Sequence, residues 1–290
     1  MKKVLLFVSI LLVSGANCAD SKLEKARKRM IQSLDLNGTS KETMSEIVNA
    51  SFNLKAYKEN YLLPVSYRYN SDFVDNGTHD SKDVETEYQV SIRYDFSADL
   101  LGLGEIYSFG YTQRSWWQVY AKSAFFRESN YQPEFFVKIP TYSFWDNGLV
   151  KGFKISAIHE SNGRGGEYER SWNRLSFSTF MQYKNLISEL EVWTRLPDNI
   201  DYNPDITEYL GYGQLKLMIP YHTNLFKLRL RANDNLDRGS VEFTYTRPLP
   251  NGDNKSDLFL FVKTFNGYGE SLIDYNHYVN KVSIGVGISR

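Results

Sequence analysis

The chain has 290 residues, with 34 basic and 34 acidic side chains giving a formal net charge of zero. That balance argues against a nucleic-acid binder, whose affinity rests on neutralising phosphates. Cys18 is the single cysteine, so a mature chain beginning after it has neither an internal disulfide nor a thiol nucleophile.

Met1 to about Ala19 reads as a secretory signal peptide (residues 1–19). Lys2 and Lys3 give a positive start, and Val4–Val13 is an apolar run of roughly ten residues, too short to span a bilayer. The small residues Ser14, Gly15 and Ala16 follow, and cleavage near Cys18 or Ala19 fits them; Asn17 is a poor neighbour for a lipidated cysteine. Residues 20–50 are polar, with Leu23, Met30, Ile31 and Leu34 at loosely helical spacing. They form a periplasmic N-terminal segment, either partly helical or a flexible leader.

From residue 51 to 290 the chain alternates. Val84–Asp95 has the clearest pattern: Val84, Thr86, Tyr88, Val90, Ile92 and Tyr94 share one face, and Glu85, Glu87, Gln89, Ser91, Arg93 and Asp95 the other. Segments of this kind are expected at Asn53–Tyr69, Val84–Asp95, Glu105–Tyr120, Glu134–Tyr142, Leu149–Ser161, Ser171–Lys184, Ile187–Leu196 and Tyr209–Met218. Four more follow at Leu225–Ala232, Val241–Arg247, Asp257–Thr264 and Val279–Ser289. Aromatic richness, mixed charge on alternate faces and the lack of a long apolar run predict an all-β protein: a transmembrane antiparallel β-barrel of about twelve strands. The chain ends in Arg290, where barrels of this kind commonly end in an aromatic residue.

The chemistry concentrates at residues 159–174. His159 and Ser161 continue the apolar row Phe153, Ile155, Ala157, because strand side chains alternate with period two. On the next segment Asn173 continues the row Leu175, Phe177, Thr179. Serine hydrolysis needs a hydroxyl, a base, and a group that sets the base's tautomer. Asparagine can do the last through its side-chain oxygen, without the desolvation cost of a carboxylate beside lipid. His-x-Ser is also a common chance pattern, and His79, His222 and His277 read as structural or solvated. Gly163, Gly165 and Gly166 open the following loop, either as a plain hairpin turn or to expose an amide to an oxyanion. Glu167 and Glu169 are either solvated acids or oxygen ligands for a hard cation. Gln113 interrupts the apolar row Tyr107, Phe109, Tyr111, Ser115, Trp117: facing lipid it predicts an interface, and one residue out of register it points inside.

Six stretches together resemble the outer membrane phospholipase A family. They are Tyr-Thr-Gln-Arg-Ser-Trp-Trp-Gln (111–118), Phe-Arg-Glu-Ser-Asn-Tyr-Gln-Pro (126–133), 159–164, Arg-Ser-Trp-Asn-Arg-Leu (170–175), Asn-Pro-Asp-Ile-Thr-Glu-Tyr-Leu-Gly-Tyr (203–212) and Gly-Tyr-Gly-Glu-Ser-Leu-Ile-Asp-Tyr-Asn (267–276). The resemblance implies a phospholipase hydrolysing acyl esters of phospholipids at either glycerol position, and of lysophospholipids, from the lipid-facing exterior of a bacterial outer-membrane barrel. It implies Ser161 as nucleophile, His159 as base, Asn173 as the group orienting the base, and the Gly163 amide at the oxyanion. It further implies a Ca2+ cofactor with Arg164 (main-chain oxygen), Glu169 and a partner subunit's serine matching Ser123 around it, and a homodimer with Gln113 at its interface. Two features depart from the family pattern. Gly166 and Glu169 stand where an aspartate and a serine are usual, and the segment between Trp117 and Arg127 is slightly short. A passive pore and an adhesive surface barrel are the rival readings; neither accounts for paired polar residues on an apolar face.

Overall fold

The computed structural model of the protein describes residues 21–29, 31–32, 35–36, 38–40, 54–69, 81–141, 148–198, 200–250 and 258–290. The expected signal peptide and His79 lie outside the described residues, as do residues 41–53. The strands are β1 (Leu54–Ala56), β2 (Asn60–Arg68), β3 (Val84–Ala98), β4 (Ile106–Trp117), β5 (Phe126–Pro140), β6 (Val150–Ser161) and β7 (Ser171–Tyr183). They continue as β8 (Leu186–Leu196), β9 (Gly213–Tyr221), β10 (Asn224–Ala232), β11 (Gly239–Pro248), β12 (Phe259–Gly267) and β13 (Val279–Ser289).

Every consecutive pair from β2 to β13 is antiparallel, and β13 returns to β2, which closes the sheet. β1 pairs with Ile92–Tyr94 of β3 while β2 pairs with its first half, so β1 and β2 share one place in the wall. The result is a closed barrel of twelve strand positions. Closure leaves no open sheet edge, the condition for strands to cross a bilayer.

The expected strand Asn53–Tyr69 is broken into β1 and β2, and two further boundaries differ by several residues. β5 begins eight residues earlier than the alternation indicates (Phe126 against Glu134), because its first half carries polar side chains on both rows. β9 begins at Gly213, since Ile206–Leu210 is a short helix that buries Ile206 and Leu210 against Trp193.

Alternation sorts the side chains inside out. Val90, Ile92, Tyr94, Phe109, Ile155, Leu175, Phe177, Val282 and Ile284 are exposed on the outer wall, while Glu85, Glu87, Gln89, Ser91 and Asp95 of β3 are buried inside. The lumen is filled with ion pairs: Lys281 and Lys263 hold Glu87, and the Arg127 guanidinium meets Glu85 at 2.8 Å. Charges removed from water cost several kcal/mol each unless paired and hydrogen-bonded, so this network sets which face of every strand turns inward.

Both mouths are covered. The β12–β13 connection dips into the barrel, where Arg68 Nη2 donates to Glu270 Oε2 and Asp274 Oδ2, each at 2.8 Å. Beside it Trp172, Trp193, Ile206, Leu210, Leu272 and Tyr275 form one apolar cluster. At the other end residues 21–29 are helical, the first of the two readings of that segment. Leu23 and Ala26 pack on Ala98 and Ile106, and Arg27 reaches Asp95 at 2.7 Å. The terminal Arg290 lies 4.2 Å over the Phe259 ring, occupying the inner corner of the last strand.

Burial raises the Asp274 carboxyl, but Arg127 and Arg68 beside it outweigh burial and hold it well below its ordinary value. A depressed carboxylate contributes stability that is complete above its unfolded value of about 3.9 and is lost only as pH falls through the folded one. The plug is therefore expected to stay locked through mildly acid pH. Asp274→Ala should cost roughly 3–5 kcal/mol by leaving buried guanidinium charge behind. Urea unfolding in micelles, followed by tryptophan fluorescence, checks this; an unchanged midpoint would mean the plug is not locked by these charges.

Candidate active site

β6 and β7 are joined by a loop spanning residues 162–170 and pair without a register shift along their upper half. His159 stands opposite Asn173, and Ser161 opposite Ser171. The alternate residues Ile158, Trp172 and Arg174 are buried inside the barrel, so His159, Ser161 and Asn173 all face out. They continue the lipid-facing rows of Ile155 and Ala157 on β6 and of Leu175 and Phe177 on β7, as alternation requires. The wall behind them is cross-linked by side chains. Glu160 accepts from Trp172 Nε1 at 3.1 Å and from Arg174 Nη2 at 2.8 Å, and the Arg174 guanidinium lies 3.8 Å from the centre of the Trp172 ring.

Asn173 Oδ1 accepts a hydrogen bond from His159 Nδ1 at 2.8 Å. An amide oxygen can only accept, so the imidazole proton sits on Nδ1 and the lone pair is left on Nε2. That is the tautomer a general base needs. Ser161 is the next outward side chain along β6, about 7 Å away at the backbone by strand rise. Asn173 is held in turn: its Nδ2 donates to Asp198 Oδ1 at 2.7 Å. On the β5 side, pairing with β6 is present at Tyr131–Ser161 and resumes at Glu134–Ile158. The interruption falls at Pro133, which has no N–H to give the ladder beside His159.

The 162–170 loop is built on Asn162. Its Nδ2 donates to Tyr168 O at 2.9 Å, and its Oδ1 accepts from the Arg170 and Arg164 amides. Gly163 follows at φ 65°, where an added Cβ would also lie 3.1 Å from the Tyr131 ring. Gly166 sits at φ 68° at the start of the 3-10 turn Gly166–Tyr168, which gives a backbone reason for glycine there.

The implied calcium residues lie at this same end of the barrel. Arg164 turns its guanidinium inward to Glu128 Oε2 at 3.2 Å and to the Arg127 carbonyl. Glu169 is half-buried and Glu167 exposed, and Arg170 Nη1 donates to both of their carbonyl oxygens. Ser123 is exposed in the β4–β5 connection. Among the described residues no three His, Cys, Asp or Glu cluster as a metal site. The donors are hard oxygens, the kind calcium takes, but one chain supplies few of the six to eight that it usually needs.

Gln113 faces outward, which decides between its two registers. Its Nε2 donates to Ser115 Oγ at 3.2 Å, its Oε1 accepts from Tyr111 at 3.3 Å, and Ser115 meets Ser129 at 2.8 Å. A polar belt thus crosses the apolar outer wall of β4 and β5. His222 occupies the β9–β10 turn and His277 the β12–β13 connection.

The family model described as Phospholipase A1 matches residues 39–288. The chain belongs to the phospholipase A1 family. The family is one of ester-hydrolysing enzymes, in agreement with the resemblance read from the six sequence stretches. The phospholipase A1 of Escherichia coli K12 is 34% identical over 248 residues, 82% of this chain and 81% of that protein. A putative phospholipase A1 of Neisseria meningitidis is 35% identical over 78% of this chain, which spans 63% of that protein. Among solved structures, the outer membrane phospholipase A of E. coli superposes with a TM-score of 0.72 at 30% identity, covering 81% of this chain and 98% of that one. A Salmonella typhi outer membrane phospholipase dimer with bound calcium gives 0.74 at 29% identity, covering 84% and 96%.

Within this candidate site, Asp198 and Asn162 are the polar residues that sequence reasoning missed. Asn162 sat between two recognised positions but showed no periodicity of its own. Asp198 lies in a loop, and only the β7–β8 register, Asn173 opposite Leu196, brings it near. The left-handed backbone at Gly163 is open to test. Gly163→Ala should lower turnover by 10-fold or more, since the strain of about 1–2 kcal/mol falls on the loop, while barrel unfolding stays unchanged. Activity and heat-modifiability of the same preparation measure the two effects separately.

Proposed function

We propose that the protein is a calcium-dependent outer-membrane phospholipase. It hydrolyses acyl ester bonds of phospholipids at either glycerol position, and of lysophospholipids, as a homodimer. The observation that carries the reading is the His159–Asn173 hydrogen bond on the lipid-facing wall, with Ser161 on the same row. A hydroxyl and a base placed there meet the ester of a lipid that never leaves the membrane.

In this reading Ser161 Oγ attacks the acyl carbonyl carbon and His159 Nε2 takes the hydroxyl proton. The imidazolium returns it to the glycerol oxygen, which leaves as the C–O bond breaks. Water then attacks the acyl-serine ester, His159 again accepts the proton, and the fatty acid departs as Ser161 recovers its own. Asn173 keeps the Nδ1–H oriented throughout and stabilises the imidazolium without placing a formal charge against lipid. The Gly163 N–H supplies a hydrogen bond to the oxyanion.

Arg164 (main-chain oxygen), Glu169 and the matching serine of a second chain, Ser123, would hold calcium, with water completing the shell. When bound, calcium supplies positive charge near the developing oxyanion. The Salmonella relative, a dimer with bound calcium, supports both the metal and the dimer. The outward Gln113 belt supports the second chain's docking place, because its amide is costly against lipid alone. The leader at residues 1–19 would carry the chain to the periplasm, with residues 20–50 remaining there and 51–290 entering the outer membrane. The pore reading loses ground to the charged plug and the terminal helix, which fill the two mouths.

Refolded protein in detergent micelles, given a medium-chain phosphatidylcholine, should release fatty acid in calcium. Chelator should stop release, and Ser161→Ala should lower it by roughly 10³-fold or more. Release that ignores chelator would remove the metal from the account. Release that ignores Ser161→Ala would remove the serine mechanism altogether.

A further inference from the structure

We propose that Asp198 is a positioning residue of the hydrolytic site, extending Ser161, His159 and Asn173 to a linked set of four. The inference rests on the serine-hydrolase reading above and concerns what decides the direction of the Asn173 amide.

An asparagine side chain has two ends of nearly equal size and opposite hydrogen-bonding sense. If Oδ1 faces His159, the imidazole proton is held on Nδ1 and Nε2 is a base. If the amide is turned over, Nδ2–H faces the ring, Nδ1 becomes the acceptor, and the proton moves to Nε2. That second arrangement cannot take a proton from Ser161. The His159–Asn173 contact alone does not choose between them, because a neutral imidazole can satisfy either end.

Asp198 chooses. Asn173 Nδ2 donates to Asp198 Oδ1 at 2.7 Å, and a carboxylate only accepts, so turning the amide would set oxygen against oxygen. The bond is charge-assisted and correspondingly stronger than a neutral pair. The fold delivers Asp198 to this place through register. Leu196, the last residue of β8, pairs with Asn173, and the chain needs only Pro197 to bring Asp198 alongside. The nearby cation does not compete for it: Arg195 Nη2 is paired with Asp201 at 2.7 Å, and Nη1 donates to the Pro204 carbonyl at 2.9 Å.

The placement also resolves a conflict of environment. A carboxylate directly behind His159 would lie on the lipid-facing row and bear a large desolvation cost. Asp198 is only half-buried, in the connection beyond the strand end. The neutral Asn173 stands against lipid, and the charge that orients it stands one hydrogen bond further toward water. Through that bond Asp198 also polarises Asn173 Oδ1, which strengthens its hold on the imidazolium as it forms.

Two measurements test the proposal. The first is a double-mutant cycle of fatty-acid release on full-length protein, checked for barrel folding by heat-modifiability. Asp198→Ala should lower kcat about 10-fold with KM unchanged, as expected for loss of an orienting partner. Asn173→Asp alone faces carboxylate with carboxylate and should fall further. Adding Asp198→Asn to it restores a donor–acceptor pair and should recover at least 10-fold, although Asp198→Asn alone does not raise activity. Independent, multiplying effects of the two substitutions would overturn the proposal. The second is ¹⁵N NMR of histidine-labelled protein, with His159 assigned by His159→Ala. The neutral ring should be the Nδ1–H tautomer in the wild type and a mixture in Asp198→Ala; an unchanged tautomer would overturn the proposal even if activity fell. Inactive wild-type protein would instead strike the hydrolase reading, leaving the NMR result to judge the Asp198–Asn173–His159 chain on its own.

Discussion

A strand crossing hydrocarbon must satisfy every backbone N–H and C=O within the protein. Here the demand is met by closing the sheet where β13 returns to β2. Closure divides each strand into a row that sees lipid and a row that sees the lumen. The lumen row carries the charges, because Glu85, Glu87, Asp95, Arg127, Lys263 and Lys281 find partners only there. A slip of one residue in any strand would carry such charges to the lipid face, at several kcal/mol each. The ion network is therefore what fixes register, and register is what places the site.

The site uses that register against the general rule. His159, Ser161 and Asn173 are polar residues on an apolar wall; His159 and Asn173 belong to a chain of hydrogen bonds, and Ser161 stands next to them on the His159 row. The His159–Asn173–Asp198 sequence of hydrogen bonds runs from lipid toward water at the rim. The second polar interruption, Gln113 with Ser115 and Ser129, has only neighbouring hydroxyls and no route to a charge. One interruption thus fits the proposed chemistry, and the other the proposed contact with a second chain.

The sequence was most legible where alternation is strict. β3 shows its charged inner and apolar outer rows along the chain, and the His159 and Asn173 rows are plain from the sequence. It was least legible where polar residues fill both rows, as in the first half of β5, and where a helix interrupts the connection before β9. The tie between residues far apart was also hidden. Arg68 on Glu270 and Asp274 spans some two hundred residues, and no local pattern forecasts it. Asp198 was invisible for the same reason, since its meaning depends on counting register across two hairpins.

The measurement that tests the central claim most directly is chemical. The protein in micelles would be treated with a long-chain alkyl sulfonyl fluoride, which sulfonylates activated serines, and the modified peptide located by mass spectrometry. The account predicts stoichiometric modification at Ser161 that is lost in His159→Ala, because the lipid-facing hydroxyl is activated only by that base. Modification spread over exposed serines such as Ser123, or unchanged by His159→Ala, would contradict it.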